Sequence, residues 1–199
     1  MRLDPSVPVA VATRNAGKLR ELLALWGDDL PLLIAPGPVY GEVAETGSTY
    51  EANSLFKAVA LARARGGPAL ADDSGIEEEA LGWGPGVLSA RTPSAESSWQ
   101  ERNAHIISAC DSSGDAARRA RFVSVCALVV PGVKPVVARG EVEGSIAFAP
   151  AGDAGFGYDP IFFYPPFGAT FAQAGDERKH SVSHRGRAVR LLRVMLREG

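Results

Sequence analysis

The stretch Ala71-Asp72-Asp73-Ser74-Gly75 constrains the fold of this chain more than any other. Pro68-Ala69-Leu70-Ala71 leads into it, short, apolar and bounded by Gly66-Gly67, which reads as a buried strand arriving at a turn. Two adjacent carboxylates then stand where the strand ends. Side chains alternate along a strand, so if the strand continues this far Asp72 and Asp73 face opposite ways, one into a cleft and the other back to hold the loop. Carboxylates in such a place suit a hard cation such as Mg²⁺ and the activation of a water. On these five residues alone, an acidic turn in which Ser74 bonds its own backbone is the simpler reading.

The segments before it change that balance. Residues 7–12 form an apolar run, followed by Thr13-Arg14-Asn15-Ala16-Gly17-Lys18 and then by Leu19, Leu22, Leu23 and Trp26 at helical spacing. This is a strand, a small polar loop and a helix. Asn15 is placed to cap the helix, and N–H groups at a helix start with Lys18 in the first turn suit a phosphate. A capped helix with a solvated lysine accounts for the same residues, and the spacing is not that of a P-loop. Residues 31–35 read as a second strand, and the loop over 36–46 carries Glu42 and Glu45. Ser48-Thr49-Tyr50-Glu51 has the form of a capping box, opening a helix to Arg65. Asn53 and Lys57 share a face of that helix away from its apolar stripe, where solvent is the ordinary expectation.

Beyond the acidic stretch, residues 76–81 read as a strand and 82–86 as a glycine-rich loop that Trp83 anchors to the core. A helix over 97–110, a polar turn over 111–115 and a valine-rich hairpin over 122–147 follow. Gly155-Phe156-Gly157-Tyr158-Asp159-Pro160 packs glycines, aromatics and an acid together, and Ser183-His184-Arg185 opens a final helix with arginines on its solvated faces. The element order implies one α/β domain over residues 1–199 with a mixed sheet.

Composition sets outer bounds. A net charge of -2 excludes a generic nucleic-acid binder with a basic surface. Two cysteines without CxxC spacing, Cys110 and Cys126, point to neither a zinc site nor a disulfide framework and fit a reducing cytosol. The opening Met1-Arg2-Leu3-Asp4-Pro5 lacks the apolar core of a signal peptide, and no apolar run approaches a membrane span. The expected setting is cytoplasmic, with neither membrane nor nucleic acid as a partner.

The parts complement one another. A helix start with Lys18 holds phosphate, Glu45 and Asp73 hold a divalent cation, and Phe156 and Tyr158 sandwich a flat ring whose edge Asp159 reads. Lys179, His184 and Arg185 supply further donors. A nucleoside triphosphate with Mg²⁺ satisfies all of these.

The ordered motifs resemble those of the inosine triphosphate pyrophosphatase family, in particular its bacterial dITP/XTP pyrophosphatases. Thr13 to Lys18 is similar to the family's T-x-N-x-x-K, and Glu45-Thr46-Gly47 with Glu51, Asn53 and Lys57 to its E-T-G and E-N-x-x-x-K, with one residue inserted between Glu51 and Asn53. Ala71 to Gly75 matches A-D-D-S-G, Ser89-Ala90-Arg91 matches S-A-R, and the segment from Gly155 together with Lys179 and Ser183-His184-Arg185 matches the closing signatures. Arg14 stands where many members have a small residue, and Glu78 where an apolar one is usual. The resemblance implies an elongated mixed β-sheet flanked by helices, with two lobes and an active-site cleft between them. It also implies a cytoplasmic homodimer that cleaves ITP, dITP and XTP to monophosphate and pyrophosphate. Thr13, Arg14, Asn15, Ala16, Gly17, Lys18 and Ser74 would contact substrate. Glu45 and Asp73 would bind Mg²⁺, with Asp73 also the proton acceptor. Phe156, Gly157, Tyr158, Asp159, Lys179, His184 and Arg185 would form the base pocket. A broader nucleotide pyrophosphatase, or a nucleotide-binding module without turnover, are the alternatives.

Overall fold

A computed structural model describes residues 3–41 and 43–198. Glu42, named above with Glu45, lies outside the described residues, as do Met1 and Arg2. The strands are Val9–Val11 (β1), Leu33–Ile34 (β2), Ala69–Glu78 (β3), Gly84–Pro85 (β4), Arg119–Val129 (β5), Val136–Ile146 (β6), Phe162–Tyr164 (β7) and Ala169–Thr170 (β8). The helices are Ala16–Trp26 (α1), Tyr50–Arg65 (α2), Trp99–Ser113 (α3), Phe171–Ala174 (α4), Asp176–Val182 (α5) and His184–Glu198 (α6). The strands form one mixed sheet in the order β2-β1-β3-β5-β6-β7-β8, with β4 paired to β3. β1 runs parallel to β2 and β3, while β4 on β3, β7 on β6 and β8 on β7 are antiparallel.

The chain divides into two compact units, residues 1–73, 124–140 and 184–199 in the first and 74–123 and 141–183 in the second. In the first, strand alternation sorts residues by size. Val9, Val11 and Leu70 pack with Leu22, Trp26, Leu128 and Leu192, whereas Ala10, Ala12, Ala69 and Ala71 pack with Ala58, Leu61 and Tyr40. Both faces are buried, which is why these strands read as continuous apolar runs. At Gly140 of β6 the chain meets α6 so closely that a Cβ would lie 2.2 Å from the His184 carbonyl oxygen. The core of the second unit joins Ile76, Ile106, Phe122, Ile146, Phe162 and Phe171.

Four expectations change. β3 does not turn at Asp72-Asp73 but runs through Ser74 and Gly75 to Glu78. The α2 cap is Thr49, whose hydroxyl accepts from the Ala52 N–H at 3.1 Å, rather than Ser48. Residues 79–81 form a 3₁₀ turn, its Ala80 and Leu81 N–H groups donating to the buried Glu78 carboxylate, not a continuing strand. Trp83 is no core anchor: it is 42% exposed, with the Arg121 guanidinium 4.7 Å above its ring. Cys110 and Cys126 are unbridged and buried, and burial pushes both thiols up to about 12. Among the described residues no helix is long and apolar enough to cross a membrane.

Candidate active site

Because β3 continues, its two-residue period sends the neighbouring acids apart. Asp72 accepts from Ser124 Oγ, from Arg185 Nη2 at 3.0 Å, and pairs with Lys18 Nζ at 3.1 Å. Burial alone would raise this carboxyl, but Arg185 and Lys18 outweigh it and hold Asp72 well below the usual carboxylate range. Arg185, itself 1% exposed, gives its other terminal nitrogen to Glu21. His184 is buried at the start of α6.

Asp73 has different neighbours. Lys57 Nζ donates to its Oδ1 at 2.8 Å, to Glu45 Oε1 at 2.7 Å and to the Asp72 carbonyl at 2.9 Å. Asn53 Nδ2 reaches Asp73 Oδ2 at 3.3 Å, while Asn53 Oδ1 accepts from the Gly47 N–H at 2.8 Å. Burial lifts the Asp73 carboxyl above its ordinary value even against the pull of Lys57 and Lys18. For Lys57, burial works against the charge, but Asp73 and Glu45 together raise its affinity for the proton.

The loop before α1 is built for its end of the site. Asn15 caps the helix, its Oδ1 accepting from the Lys18 N–H at 3.0 Å, and Thr13 Oγ1 accepts from the Asn15 N–H at 3.1 Å. Ala16 and Gly17 form the first turn, where N–H groups have no partner within the helix. Arg14 donates to the Tyr40 carbonyl at 2.9 Å. The structure thus gathers Lys18, Asp72 and Arg185 in one cluster and Glu45, Lys57 and Asp73 in another, both within the first unit.

Among the described residues no group of three His, Cys, Asp or Glu side chains stands ready for a metal. The gathered set is two carboxylates, Glu45 and Asp73, converging on a single cationic nitrogen beside a backbone carbonyl. These are oxygen donors, and Lys57 Nζ shows that they share a cation. The set fits a hard divalent ion of the Mg²⁺ type, which uses one or two carboxylates and completes its shell with phosphate oxygens and water.

The second unit holds the aromatic segment. A Cβ at Gly155, whose φ is +74°, would lie 2.2 Å from Asp159 Oδ2, so only glycine fits. Asp159 Oδ2 accepts from the Phe156 N–H at 2.8 Å and is ion-paired with Lys179, whose Nζ lies 5.0 Å from the centre of the Phe156 ring. Tyr158 corrects the sandwich reading. Its ring is buried, edge-on to Trp99 at 5.3 Å, and its hydroxyl donates to the Ser89 carbonyl at 2.8 Å, with burial pushing the phenol up to about 12. Phe156 is the half-buried ring of the pair. Ser74, half-buried, follows Asp73 on β3.

Sequence reasoning left Asn53 and Lys57, matched to a family motif, without a role on a face expected to meet solvent, and it passed over Glu21 and Ser124. For the first two a signal existed: two polar residues four apart on an alanine-rich helix, both of which the fold buries.

Fold and site define a class: an α/β protein with a buried acidic strand centre beside a capped, lysine-bearing helix start. The chain belongs to the Ham1 family, whose model matches residues 9–195. It is 46% identical over 188 residues to a dITP/XTP pyrophosphatase of Geobacter sulfurreducens, covering 93% of this chain and 94% of that protein. It is 43% identical over 194 residues to a dITP/XTP pyrophosphatase of Thermus thermophilus, covering 96% and 92%. A solved HAM1 protein from Coxiella burnetii is similar across 97% of this chain and 100% of its own, with a TM-score of 0.88 and 36% identity.

Proposed function

We propose that this chain, as one domain over residues 1–199, hydrolyses the deaminated purine nucleoside triphosphates ITP, dITP and XTP. The products are the nucleoside monophosphate and pyrophosphate. The observation that carries the reading is Asp73, a buried carboxyl lifted above its usual range and sharing one cationic nitrogen with Glu45. The names of the relatives, dITP/XTP pyrophosphatase, supply the substrate class.

In this reading the first-turn N–H groups of Ala16 and Gly17 and the Lys18 ammonium take phosphate oxygens, with Thr13 and Asn15 shaping the loop and Arg14 and Ser74 beside them. Asp73 accepts a proton from water as the water oxygen bonds to the α-phosphorus. The bond from that phosphorus to the bridging oxygen breaks, and pyrophosphate leaves with the electron pair. A raised pKa favours this task, since a base nearer neutrality holds the proton more firmly while still ionising. Ham1-type enzymes generally depend on a divalent metal, and we assign Mg²⁺ to Glu45 and Asp73. When bound it would neutralise phosphate charge and acidify water. Phe156, Gly157, Asp159 and Lys179 serve the base, with Tyr158 as the buried anchor of their loop. Arg185 is held in the buried network with Glu21 and Asp72, and we assign it and His184, buried beside it at the start of α6, to the same substrate. The setting is cytoplasmic and the working form a homodimer.

The deciding experiment incubates the purified chain with ITP, XTP, dITP, ATP and GTP plus Mg²⁺ and measures pyrophosphate against phosphate. We expect pyrophosphate from the first three. Equal turnover of ATP and ITP would remove the base selectivity, and release of phosphate would remove the cleavage assignment.

A further inference from the structure

The Ser89-Ala90-Arg91 motif and the start of α3 have no part in the chemistry above, yet both grip the segment from Gly155 to Pro160. Tyr158 is held from two sides, by the Ser89 carbonyl on its hydroxyl and by the Trp99 ring against its own. Ser89 is fixed in turn: its hydroxyl accepts from the Ile76 N–H at 2.9 Å and donates to the Gly86 carbonyl at 2.6 Å. The first turn of α3 is similarly rigid. Ser98 and Glu101 form a full capping box. Arg102 donates to the carbonyls of Ser94, Ala95 and Ser97, with its guanidinium 5.1 Å from the centre of the Trp99 ring.

The residue that follows this turn in α3 touches the loop backbone directly. Asn103 is 5% exposed, and its Nδ2 donates to the Gly157 carbonyl at 3.3 Å. Its Oδ1 is buried without a hydrogen-bond partner. A buried polar atom left unsatisfied is costly, so the position is not explained by stability alone. Gly157 lies in the left-handed region at φ +69°, and a Cβ there would pack 3.7 Å from Trp99 ring atoms.

We infer that Asn103, backed by Trp99, is a positioning residue that sets the Gly157–Tyr158 peptide plane and thereby the base selectivity of the site. A trans peptide is planar, with its carbonyl and the following N–H on opposite edges. Tying the Gly157 carbonyl to Asn103 aims the Tyr158 N–H the other way. A fixed backbone N–H is a donor that a 6-oxo purine accepts and a 6-amino purine cannot use. The inference rests on the reading of this loop as the base pocket.

The test compares Asn103→Asp with the unaltered chain, using inosine monophosphate, adenosine monophosphate and inorganic pyrophosphate as competitors of ITP hydrolysis. The substitution keeps the shape but turns the donor into an acceptor facing a carbonyl. We expect binding of inosine monophosphate to weaken roughly tenfold or more, the preference over adenosine monophosphate to shrink, and inhibition by pyrophosphate to stay unchanged. Asn103→Leu and Trp99→Leu carry the same expectation and serve if Asn103→Asp does not fold. Unchanged nucleotide preference in the folded variants, or equal weakening toward pyrophosphate, overturns the positioning role. If the unaltered chain itself shows no preference for inosine over adenosine monophosphate, the base-pocket reading fails instead.

Discussion

Asp72 and Asp73, adjacent in β3, carry opposite electrostatic assignments. Asp72 sits 3.0 Å from Arg185 and 3.1 Å from Lys18 and stays ionised far into acid, whereas Asp73, 2.8 Å from Lys57, is lifted by burial. The strand's period separates them, and their surroundings then push the two pKa values apart. Such divergence is how a pair of carboxylates divides into a fixed charge and a working base.

Asp73→Asn should lower kcat for ITP by about 10²–10⁴, the usual contribution of a general base, with circular dichroism unchanged. In the unaltered enzyme kcat/KM should rise with pH through the raised Asp73 value, placing the acid limb above the ordinary 3.8. Lys57→Met removes the attraction that opposes burial, so the limb should move to higher pH. An acid limb that Lys57→Met leaves in place would take the base role from Asp73.

Asp72→Asn should act on stability. The folded pKa of Asp72 is depressed, so its contribution is fully present above the unfolded value, about 3.9, and is lost as pH falls through the folded one. At pH 7 the substitution leaves Arg185 short of one buried partner and should cost about 3 kcal/mol. Urea denaturation at neutral pH and again at acid pH measures this, and the gap between the two proteins should narrow in acid. A gap independent of pH would contradict the depressed value.

Glu45→Gln keeps a hydrogen-bonding oxygen but removes one of the two charges offered to the cation. The Mg²⁺ concentration for half-maximal activity should rise about tenfold or more, and a chelator should abolish turnover by the unaltered enzyme without unfolding it. Superimposable Mg²⁺ titrations for the two proteins would exclude Glu45 as a ligand.

Gly140→Ala tests the seat of α6 on β6. The new Cβ would meet the His184 carbonyl oxygen at 2.2 Å and the Ala188 nitrogen at 2.4 Å, both backbone atoms that cannot swing aside. A loss of about 1–3 kcal/mol follows from such overpacking, read as a lower melting temperature. A melting temperature equal to that of the parent would mean that the helix shifts freely.

The mixed sheet was legible from the sequence because β1, β2 and the apolar start of β3 are continuous apolar runs and α1 carries a helical stripe, whereas α2 buries the face of Asn53, Lys57, Ala58 and Leu61 and leaves Phe56 of its apolar stripe exposed. The continuation of β3 was not. Asp-Asp-Ser-Gly is poor in strand formers, and it stays extended because Ser124 and Arg185, 52 and 113 residues away, satisfy Asp72. Lys57 and Asn53 were assigned to solvent for a related reason: a polar helix face reads as exposed until the opposing carboxylate is placed. Tyr158 shows the converse. Its aromatic character was visible, but its inward direction depends on the Ser89 carbonyl and the Trp99 ring.

The triple contact of Lys57 Nζ with Glu45, Asp73 and the Asp72 carbonyl gives the acid pair a tethered counter-ion. Under the proposed assignment, a divalent ion entering there does not meet bare carboxylates but must exchange with the Lys57 ammonium. That exchange weakens capture of the ion alone and rewards its arrival together with a polyanion, whose oxygens can accept the displaced ammonium. Under the same proposed assignment, loading of cation and substrate is one thermodynamically coupled event, and calorimetry should show tighter Mg²⁺ binding when pyrophosphate is present than when it is withheld.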